Sequence, residues 1–415
     1  MITLMMVGMS MLATISVKGQ QIDLYYAGVK SDTLAAVYKN NELLYANLED
    51  ESWYCIALDL AITDEGDVYY AGNGSYGAYA WKNGKLFLSG GYRSTIKGVC
   101  LNENELYSAG DIFYEQISQQ KGAIWRDVDL WDTLGTSRAY FNDIDFMDGH
   151  RYVLGTNLMV NGVGDLTIWK DDEPLYYLGR SGEGSGFRSI KCHDGHVYAC
   201  GTLRTNIGPF SYDGMIWKDG VVLYDYGAYA NVTDFCIDGE DIYACGEINV
   251  ENLEQKAVVW KNDEVLYEYD YATFIEFYTI LKVEEDLYFG GAGYYYGKQS
   301  EGRQSSYGVL FKNGEAVEID PECTVVSALA VSPTSTVLLE TENELIRVFP
   351  NPAQSFLHVE GTEVAYFQVF NAHGQLVKTA QCTNEISMEG LSEGIYLLLI
   401  TDAEGKQSVQ KVVKE

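Results

Sequence analysis

Five histidines are the residues best suited to acid-base or metal chemistry, but no H-E-x-x-H, G-x-S-x-G, P-loop or Cys-x-x-Cys pattern accompanies them. His193 and His196 flank Asp194-Gly195 and could share a metal ion, yet no third ligand stands nearby, so a solvated turn is the simpler interpretation. Paired carboxylates for glycoside hydrolysis stay open, because a sequence does not give their separation. No motif therefore predicts catalysis, and we expect a protein that is not an enzyme.

A second group of residues combines aromatic rings with arginines on segments between predicted strands. Rings beside guanidinium groups suit stacking on sugars with pairing to carboxylate or sulfate, or the anchoring of a protein segment. Alternatively, the tyrosines pack loops against one another and the arginines pair with neighbouring acids. The predicted ligand-binding residues are Tyr92, Arg93, Arg138, Tyr140, Arg180, Arg204, Tyr212, Tyr295 and Arg303.

The composition indicates which elements hold these residues and excludes one class of partner. Aromatics make up 13% of the 415 residues, with 42 Gly and only 6 Pro, which favours pleated strands joined by glycine turns and an all-β fold. A formal charge of -32 would repel a phosphate backbone, so we expect no nucleic-acid partner. No EF-hand or RTX-type spacing supports Ca²⁺ binding, so no cofactor is predicted.

The N-terminal segment and the cysteines indicate the compartment. Residues 1–19 form an apolar stretch that is short for a membrane span and ends near small residues, which predicts a cleaved signal peptide. Most of the eight cysteines lie in apolar strand segments, where cysteine commonly serves as a small buried hydrophobe. One disulfide candidate is Cys236 with Cys245, on the two sides of a predicted hairpin.

Two short phrases recur along the chain. A Tyr-x-x-Gly phrase ends a strand-like segment seven times and is followed each time by an aromatic residue and a base, such as Trp81-Lys82 before Asn83-Gly84. The spacing of about 45 residues, with several short alternating segments per repeat, is typical of propeller blades. The phrases begin at Tyr25, Tyr69, Tyr107, Tyr152, Tyr198, Tyr243 and Tyr288.

The repeats predict a seven-bladed β-propeller over residues 20–332, with four strands in each blade. In the second repeat we expect strands at Ile56 to Ile62, Asp67 to Gly72, Ala78 to Lys82 and Lys85 to Ser89. The first repeat lacks its first strand, and the segment Thr324 to Ser332 is predicted to supply it by pairing beside Tyr25 to Gly28. The connections after the second and fourth strands would then share the face that carries the aromatic and arginine residues.

After residues 333–343, a predicted linker, the repeats stop and residues 344–415 carry different phrases. FPNP, a strand-turn-strand hairpin, GIY and a basic-apolar terminal strand follow in order. This region resembles the C-terminal sorting domain of type IX secretion substrates in the Bacteroidetes, and the repeats resemble those of uncharacterised exported proteins from the same group. The residues that carry the sorting resemblance are Phe349, Pro350, Asn351, Pro352, Gly374, Gly394, Tyr396, Lys411 and Lys414.

The resemblance implies a small β-sandwich that is recognised by the type IX translocon and cut by a sortase, with the protein secreted or held at the outer-membrane surface. Our first functional hypothesis is a non-enzymatic module that binds an extracellular glycan or protein through its variable loops. The alternatives are a polysaccharide-degrading hydrolase or lyase and a structural adhesion component.

Overall fold

The computed structural model describes residues 23–48, 54–114, 119–133, 139–158, 164–181, 186–204, 212–250, 254–269, 275–294, 306–332, 347–360, 364–371, 376–381, 384–402 and 407–414. Their regular structure consists of strands, which confirms the all-β class. In these ranges no helix is long and apolar enough to cross a membrane. The chain divides into two compact units, Met1–Pro333 and Thr334–Glu415. The predicted signal peptide and linker lie outside the described residues.

The described part of the larger unit contains seven four-stranded antiparallel sheets, numbered here from the N-terminus. Sheet 1 consists of β1 (Leu24–Lys30), β2 (Leu34–Lys39), β3 (Glu42–Asn47) and the distant β28 (Cys323–Val331). Sheet 2 consists of β4 (Cys55–Ile62), β5 (Val68–Gly74), β6 (Gly77–Lys82) and β7 (Lys85–Tyr92). Sheet 3 consists of β8 (Ser94–Asn102), β9 (Glu105–Tyr114), β10 (Gln119–Arg126) and β11 (Asp129–Asp132). Sheet 4 consists of β12 (Ala139–Met147), β13 (His150–Leu158), β14 (Gly164–Lys170) and β15 (Glu173–Ser181). Sheet 5 consists of β16 (Gly186–His193), β17 (His196–Arg204), β18 (Tyr212–Lys218) and β19 (Val221–Ala228). Sheet 6 consists of β20 (Ala230–Asp238), β21 (Asp241–Val250), β22 (Glu254–Lys261) and β23 (Glu264–Tyr269). Sheet 7 consists of β24 (Ile275–Val283), β25 (Asp286–Tyr294), β26 (Ser306–Lys312) and β27 (Glu315–Ala316).

Sheet 1 takes its first strand from the far end of the unit, as the sequence predicted. β28 runs antiparallel to β1, with Leu24 opposite Val331 and Ala27 opposite Ala328. The Ser327 hydroxyl donates to the Ala27 carbonyl within this sheet and to the Ala57 carbonyl of sheet 2. β28 therefore satisfies the edge of β1 and also joins sheet 1 to its neighbour.

The first strands of the sheets, namely β28, β4, β8, β12, β16, β20 and β24, contact one another in that order, and β24 also contacts β28. Apolar side chains fill the space between neighbouring sheets. The aromatic residue before each base is part of this packing, and Trp81, Trp169 and Trp217 are among the largest fully buried side chains. Tyr226 of sheet 5, for example, lies against the Trp260 ring of sheet 6, with 4.6 Å between the ring centroids. Each such ring removes roughly 150–250 Å² from water.

The glycine of every Tyr-x-x-Gly phrase lies opposite a β-bulge in the first strand of its sheet. In sheet 2, Ala57 pairs with Gly72 and Asp59 pairs with Ala71, so Leu58 is the extra residue. A Cβ atom on Gly72 would lie 2.0 Å from the carbonyl oxygen of Ile56, and the other six glycines meet an equivalent backbone oxygen at 1.8–2.4 Å. The phrase ends in glycine because only a residue without a side chain fits beside the bulge.

The base of the second phrase lies beside the tyrosine of the first. Tyr69 and Lys82 are cross-strand partners, the Lys82 ammonium lies 4.8 Å from the Tyr69 ring centre, and it is 2.7 Å from the Asp67 carboxylate. That ammonium holds the pKa of Asp67 below its ordinary value. All seven sheets have a base over the tyrosine of their own phrase. The two phrases therefore form one contact on neighbouring strands.

The Asn or Asp after each base closes the hairpin. Asn83 has a φ of +49° and Gly84 a φ of +76°, the left-handed pair that a two-residue hairpin turn requires. The Asn83 side-chain oxygen accepts the Val68 amide at 2.8 Å, and Asp127, Asn262 and other equivalents accept in the same way. This bond satisfies a backbone donor at the entrance to the second strand, which explains the preference for Asn and Asp there.

The smaller unit has two sheets that share one apolar core. One sheet contains β29 (Arg347–Phe349), β30 (Phe356–Glu360) and β33 (Glu385–Ser387), and the other contains β31 (Val364–Asn371), β32 (Leu376–Gln381), β34 (Gly394–Asp402) and β35 (Gln407–Lys414). Leu357 of the first sheet and Phe367, Leu398 and Val412 of the second are buried together. Alternate residues of these strands face this core, as expected for two sheets packed face to face.

The proposed disulfide between Cys236 and Cys245 is wrong. The two-residue turn at Gly239-Glu240 puts Cys236 opposite Tyr243, while Cys245 lies opposite Asp234 beyond the bulge. The two thiols are therefore offset along the hairpin instead of facing each other. All seven cysteines in the described ranges are free thiols, and burial raises the pKa of the Cys236 thiol to about 12.

Candidate functional site

A cavity of about 950 Å³ lies between the first strands of the seven sheets, and we call it the first-strand cavity. The bulge in each first strand places one side chain on its wall. Those seven side chains are Leu58, Lys97, Asn142, Arg188, Thr233, Tyr278 and Ser327. Six of the seven are polar, so the repeat that builds an apolar core between sheets also builds a polar wall around this cavity.

Three aspartates directly after a bulge connect neighbouring sheets. Asp59 accepts the Val99 amide of sheet 3 at 2.7 Å, Asp143 accepts the Ile190 amide of sheet 5 at 2.9 Å, and Asp234 accepts the Ile280 amide of sheet 7 at 3.1 Å. Burial raises the pKa of Asp59 and of Asp143 in spite of these bonds. The charge of Asp59 adds to the shift of Asp143, and the charge of Asp234 adds to the shift of Asp59. These carboxylates hold strands in place, which is a structural role.

Lys191 is the cation closest to this network. Its ammonium lies 3.8 Å from Asp234, and 38% of its side chain is exposed. Burial opposes its charge, but the carboxylates of Asp234 and Asp143 outweigh that effect and raise the pKa of Lys191. Lys191 therefore compensates part of the carboxylate charge on this wall.

Glu276, near the start of β24, and Glu247, near the end of β21, have other hydrogen-bond partners than these aspartates. Glu276 accepts the Tyr278 hydroxyl, and it accepts the Tyr294 hydroxyl at 3.2 Å; the two phenol oxygens are 2.8 Å apart. Glu247 accepts the Asn231 amide at 3.2 Å and the Gln255 amide. Burial, and after it the charge of Glu276, raises the pKa of Glu247, whereas Arg188 opposes the shift. Every partner named here is a side chain.

The same hairpin positions carry a related cluster in sheet 3. There Asp111 takes the place of Glu247 and accepts from Thr95 and from Gln120, the latter at 2.7 Å. Its own bulge residue supplies a cation, since the Lys97 ammonium lies 3.7 Å from Asp111. In sheet 6 the bulge residue is Thr233, which donates instead to the Phe277 carbonyl at 2.7 Å. Arg188 of the neighbouring sheet, in place of such a bulge residue, lowers the pKa of Glu247.

Among the predicted ligand-binding residues, Arg93 has the most developed environment. It turns between β7 and β8 with a φ of +57°, and its guanidinium carbon lies 5.2 Å from the ring centres of both Tyr92 and Phe113. Tyr92 is 57% exposed. The guanidinium is thus held by rings on an exposed turn, as a recognition residue would be.

The other predicted residues lie at the corresponding ends of sheets 4 and 5. Tyr140 is near the start of β12, with Lys97 5.8 Å from its ring centre, and Arg180 is near the end of β15, opposite Asp165. Arg204 ends β17 and pairs with Tyr212 at the start of β18. These residues share one end of the sheets. Arg138, Tyr295 and Arg303 lie outside the described residues, so the assignment stays a prediction.

The histidines of the Asp194-Gly195 turn have separate partners. His196 Nδ1 lies 2.6 Å from Asp219, and His193 Nε2 lies 3.5 Å from Asp194. In sheets 4 and 5, His150 and His196 stand where the other sheets have the acid that pairs with the base. No group of His, Cys, Asp and Glu able to hold a metal ion occurs within the described ranges.

In the smaller unit, the opening motif contacts the last strand. Asn351 donates to the Lys411 carbonyl at 2.8 Å and accepts the Val413 amide at 2.9 Å, and the Ala353 amide reaches the Val413 carbonyl at 2.7 Å. Further along the chain, Tyr396 donates to the Ser392 carbonyl, and Gly394 pairs with Lys414. Phe349 is 41% exposed, with its ring centre 6.0 Å from that of His358, and Pro350 and Pro352 flank Asn351. Gly374 lies outside the described residues.

The glutamate cluster was missed because its members are scattered over repeats and carry no motif. One sequence signal could have located part of it. In repeats three to seven the bulge residue precedes the repeat glycine by thirteen positions, as Arg188 precedes Gly201 and Tyr278 precedes Gly291. Polar residues at that offset, inside segments that otherwise have the pattern of buried strands, mark the wall of a cavity.

A family model matches the C-terminal residues of this chain, and solved structures match a larger share of it. Residues 347–415 match the family described as the secretion system C-terminal sorting domain. A protein of unknown function from Bacteroides caccae is 11% identical over 75% of this chain and 99% of its own, with a TM-score of 0.39. The β-propeller domain of the Trilobed protease from Pyrococcus furiosus is 11% identical over 88% of this chain and 98% of its own, with a TM-score of 0.37.

These TM-scores are too low for either likeness to carry an argument, and no curated protein matches the sequence. The matched residues form the unit in which Asn351 bonds the opening motif to the terminal strand. It indicates that this chain is exported through the type IX secretion machinery and is either secreted or attached to the cell surface.

Proposed function

We propose that residues 20–332 form a seven-bladed β-propeller, joined by the linker 333–343 to the sorting domain 344–415 and preceded by a signal peptide at 1–19. Three observations support the propeller. Seven four-stranded sheets are described, their first strands contact one another in order, and β28 contacts both β24 and β4. The pairing of β28 with β1 supports such a ring, because it fills the edge that the first repeat leaves open.

We propose further that the protein is a non-enzymatic module that binds an extracellular glycan or protein at the end of the sheets where the first strands begin. The observation that carries this proposal is the Arg93 guanidinium held between the Tyr92 and Phe113 rings on an exposed turn. Aromatic and arginine anchors of this kind dominate the binding energy of many interfaces.

Binding of the purified exported protein to a printed glycan array and to immobilised extracellular proteins tests this proposal. We expect the substitution Arg93→Ala to weaken binding at least tenfold, because truncating an anchoring arginine typically costs about 2 kcal/mol or more. Arg126→Ala is the matched control, since Arg126 pairs with Glu105 at the opposite end of its sheet. Equal binding by wild type and Arg93→Ala would contradict the proposed face.

A polysaccharide-degrading hydrolase or lyase is the second candidate. Glu247 and Glu276 favour it, because two carboxylates with different hydrogen-bond partners line one cavity and the pKa of one of them is raised. The array ligands, incubated with the protein, separate the candidates: an enzyme releases new chain ends or unsaturated sugars and a binding module leaves the glycan intact.

A further inference from the structure

We infer that the wall of the first-strand cavity at sheets 5 to 7 binds the hydroxyl groups of a neutral sugar unit, through Glu276, Glu247, Asn231 and Arg188. This inference rests on the proposed function, since it assigns a ligand class and a second contact point to a glycan-binding protein. The four side chains come from four different strands, and all of them line one cavity.

The glutamates do not serve the fold in the way the nearby aspartates do. Asp59, Asp143 and Asp234 each accept a backbone amide from a neighbouring sheet, so their removal would leave a buried donor without a partner. Glu247 and Glu276 have only side-chain donors among the described contacts. The repeat also does not require an acidic residue at the position of Glu276. The equivalent residue, two before the bulge residue, is Ile56 in sheet 2 and Val325 in sheet 1.

The hydrogen-bonding capacity of the cluster defines the ligand. Tyr278 and Tyr294 both bind the Oε2 atom of Glu276, and no partner of its Oε1 atom is described. The Asn231 amide oxygen is buried and has no hydrogen-bond partner among the described residues. The exposed Arg188 guanidinium offers donors on the same wall.

A group that both donates to carboxylates and accepts from a guanidinium satisfies this set. Hydroxyl groups do both, and a sugar ring presents several of them on adjacent carbons. An anionic sugar would be opposed, because the two carboxylates outnumber the single arginine. The cavity volume of about 950 Å³ falls within the usual range for ligand sites, roughly 300–1,000 Å³.

The test is saturation-transfer NMR of the full exported chain with D-glucose, D-galactose, D-mannose, D-xylose and N-acetyl-D-glucosamine. We expect at least one sugar to bind wild type, and the substitution Glu276→Gln to weaken that binding at least tenfold. Tyr294→Phe removes one hydroxyl from the cluster and should weaken it by a smaller factor. The matched control is Asp111→Asn, which changes the equivalent cluster of sheet 3 and should leave sugar binding unchanged.

Thermal unfolding of each variant shows whether it is folded, and Tyr294→Phe keeps the test valid if Glu276→Gln is not. Absence of binding by all five sugars, or binding unaffected by both sheet 7 variants, overturns the inference. If glycan binding on the array depends on Arg93 while the Glu276 and Tyr294 variants bind as wild type, the cavity site is wrong and the proposed function stands. If no glycan or protein binds on the array, the proposed function itself fails.

Discussion

Replacing Gly72 with alanine should destabilise the larger unit through a single backbone contact. The added Cβ would lie 2.0 Å from the Ile56 carbonyl oxygen and 3.0 Å from the Leu58 amide nitrogen. Both atoms belong to the bulged strand, so no side-chain rotation can relieve the overlap. Inserting an atom into a packed site costs about 1–3 kcal/mol, and a rigid neighbour favours the upper end. Alanine also reduces the entropy of the unfolded chain, which returns about 0.4–1 kcal/mol.

The net expectation is a loss of about 2 kcal/mol in the free energy of unfolding, because the clash exceeds the entropy gain. Urea unfolding followed by tryptophan fluorescence measures it, and with a slope of about 3 kcal/mol/M the midpoint should fall by roughly 0.7 M. Gly186→Ala is the control, since no heavy atom lies within 4 Å of the Cβ it would introduce. We expect that variant to be as stable as wild type or slightly more stable. Equal midpoints for Gly72→Ala and Gly186→Ala would refute the reason given for the repeat glycine.

Two further outcomes follow from hydrogen bonds and charges described above. Asn351→Ala removes two bonds to the terminal strand and should destabilise the smaller unit by about 2 kcal/mol, measured as faster proteolysis of the tail and a smaller exported fraction; unchanged proteolysis would contradict this role. Burial raises the pKa of Asp143 in the folded protein above its ordinary value of 3.8, so the folded state binds more protons than the unfolded chain, and stability should fall as the pH rises above that value. Asp143→Asn should flatten this dependence in urea midpoints measured across the pH range, and a slope identical to that of wild type would contradict it.

The all-β class and the strands of the second repeat could be predicted because period-two segments and glycine turns are local signals. The pairing of β28 was also predictable, since a repeat without its first strand leaves one edge to be filled. The reason for the glycine in Tyr-x-x-Gly was not accessible, because the bulge that requires it lies in a different strand. The error over Cys236 and Cys245 has a related cause, since pairing along a hairpin depends on the turn and on the bulge.

The candidate site was less predictable than the fold. Arginine and aromatic residues on turns can be recognised from their types, and Arg93 has the ring contacts expected of such a residue. The cluster of Glu247 and Glu276 depends on which strands become neighbours and on the depth at which each side chain stands. Neither quantity is encoded within a single repeat, so only the assembled sheets bring these groups onto one wall.

The contribution of β28 to sheet 1 has a consequence for chains whose synthesis is interrupted. Ser327 bonds to Ala27, 300 positions earlier, so the sheet made first remains incomplete until almost the whole repeat region is available. A chain interrupted before β28 exposes an unpaired strand edge, the feature that promotes aggregation. Because the secretion tail follows β28 in the sequence, such an interrupted product also lacks the tail. We therefore expect that a chain interrupted before β28 is not exported, because it lacks the sorting residues.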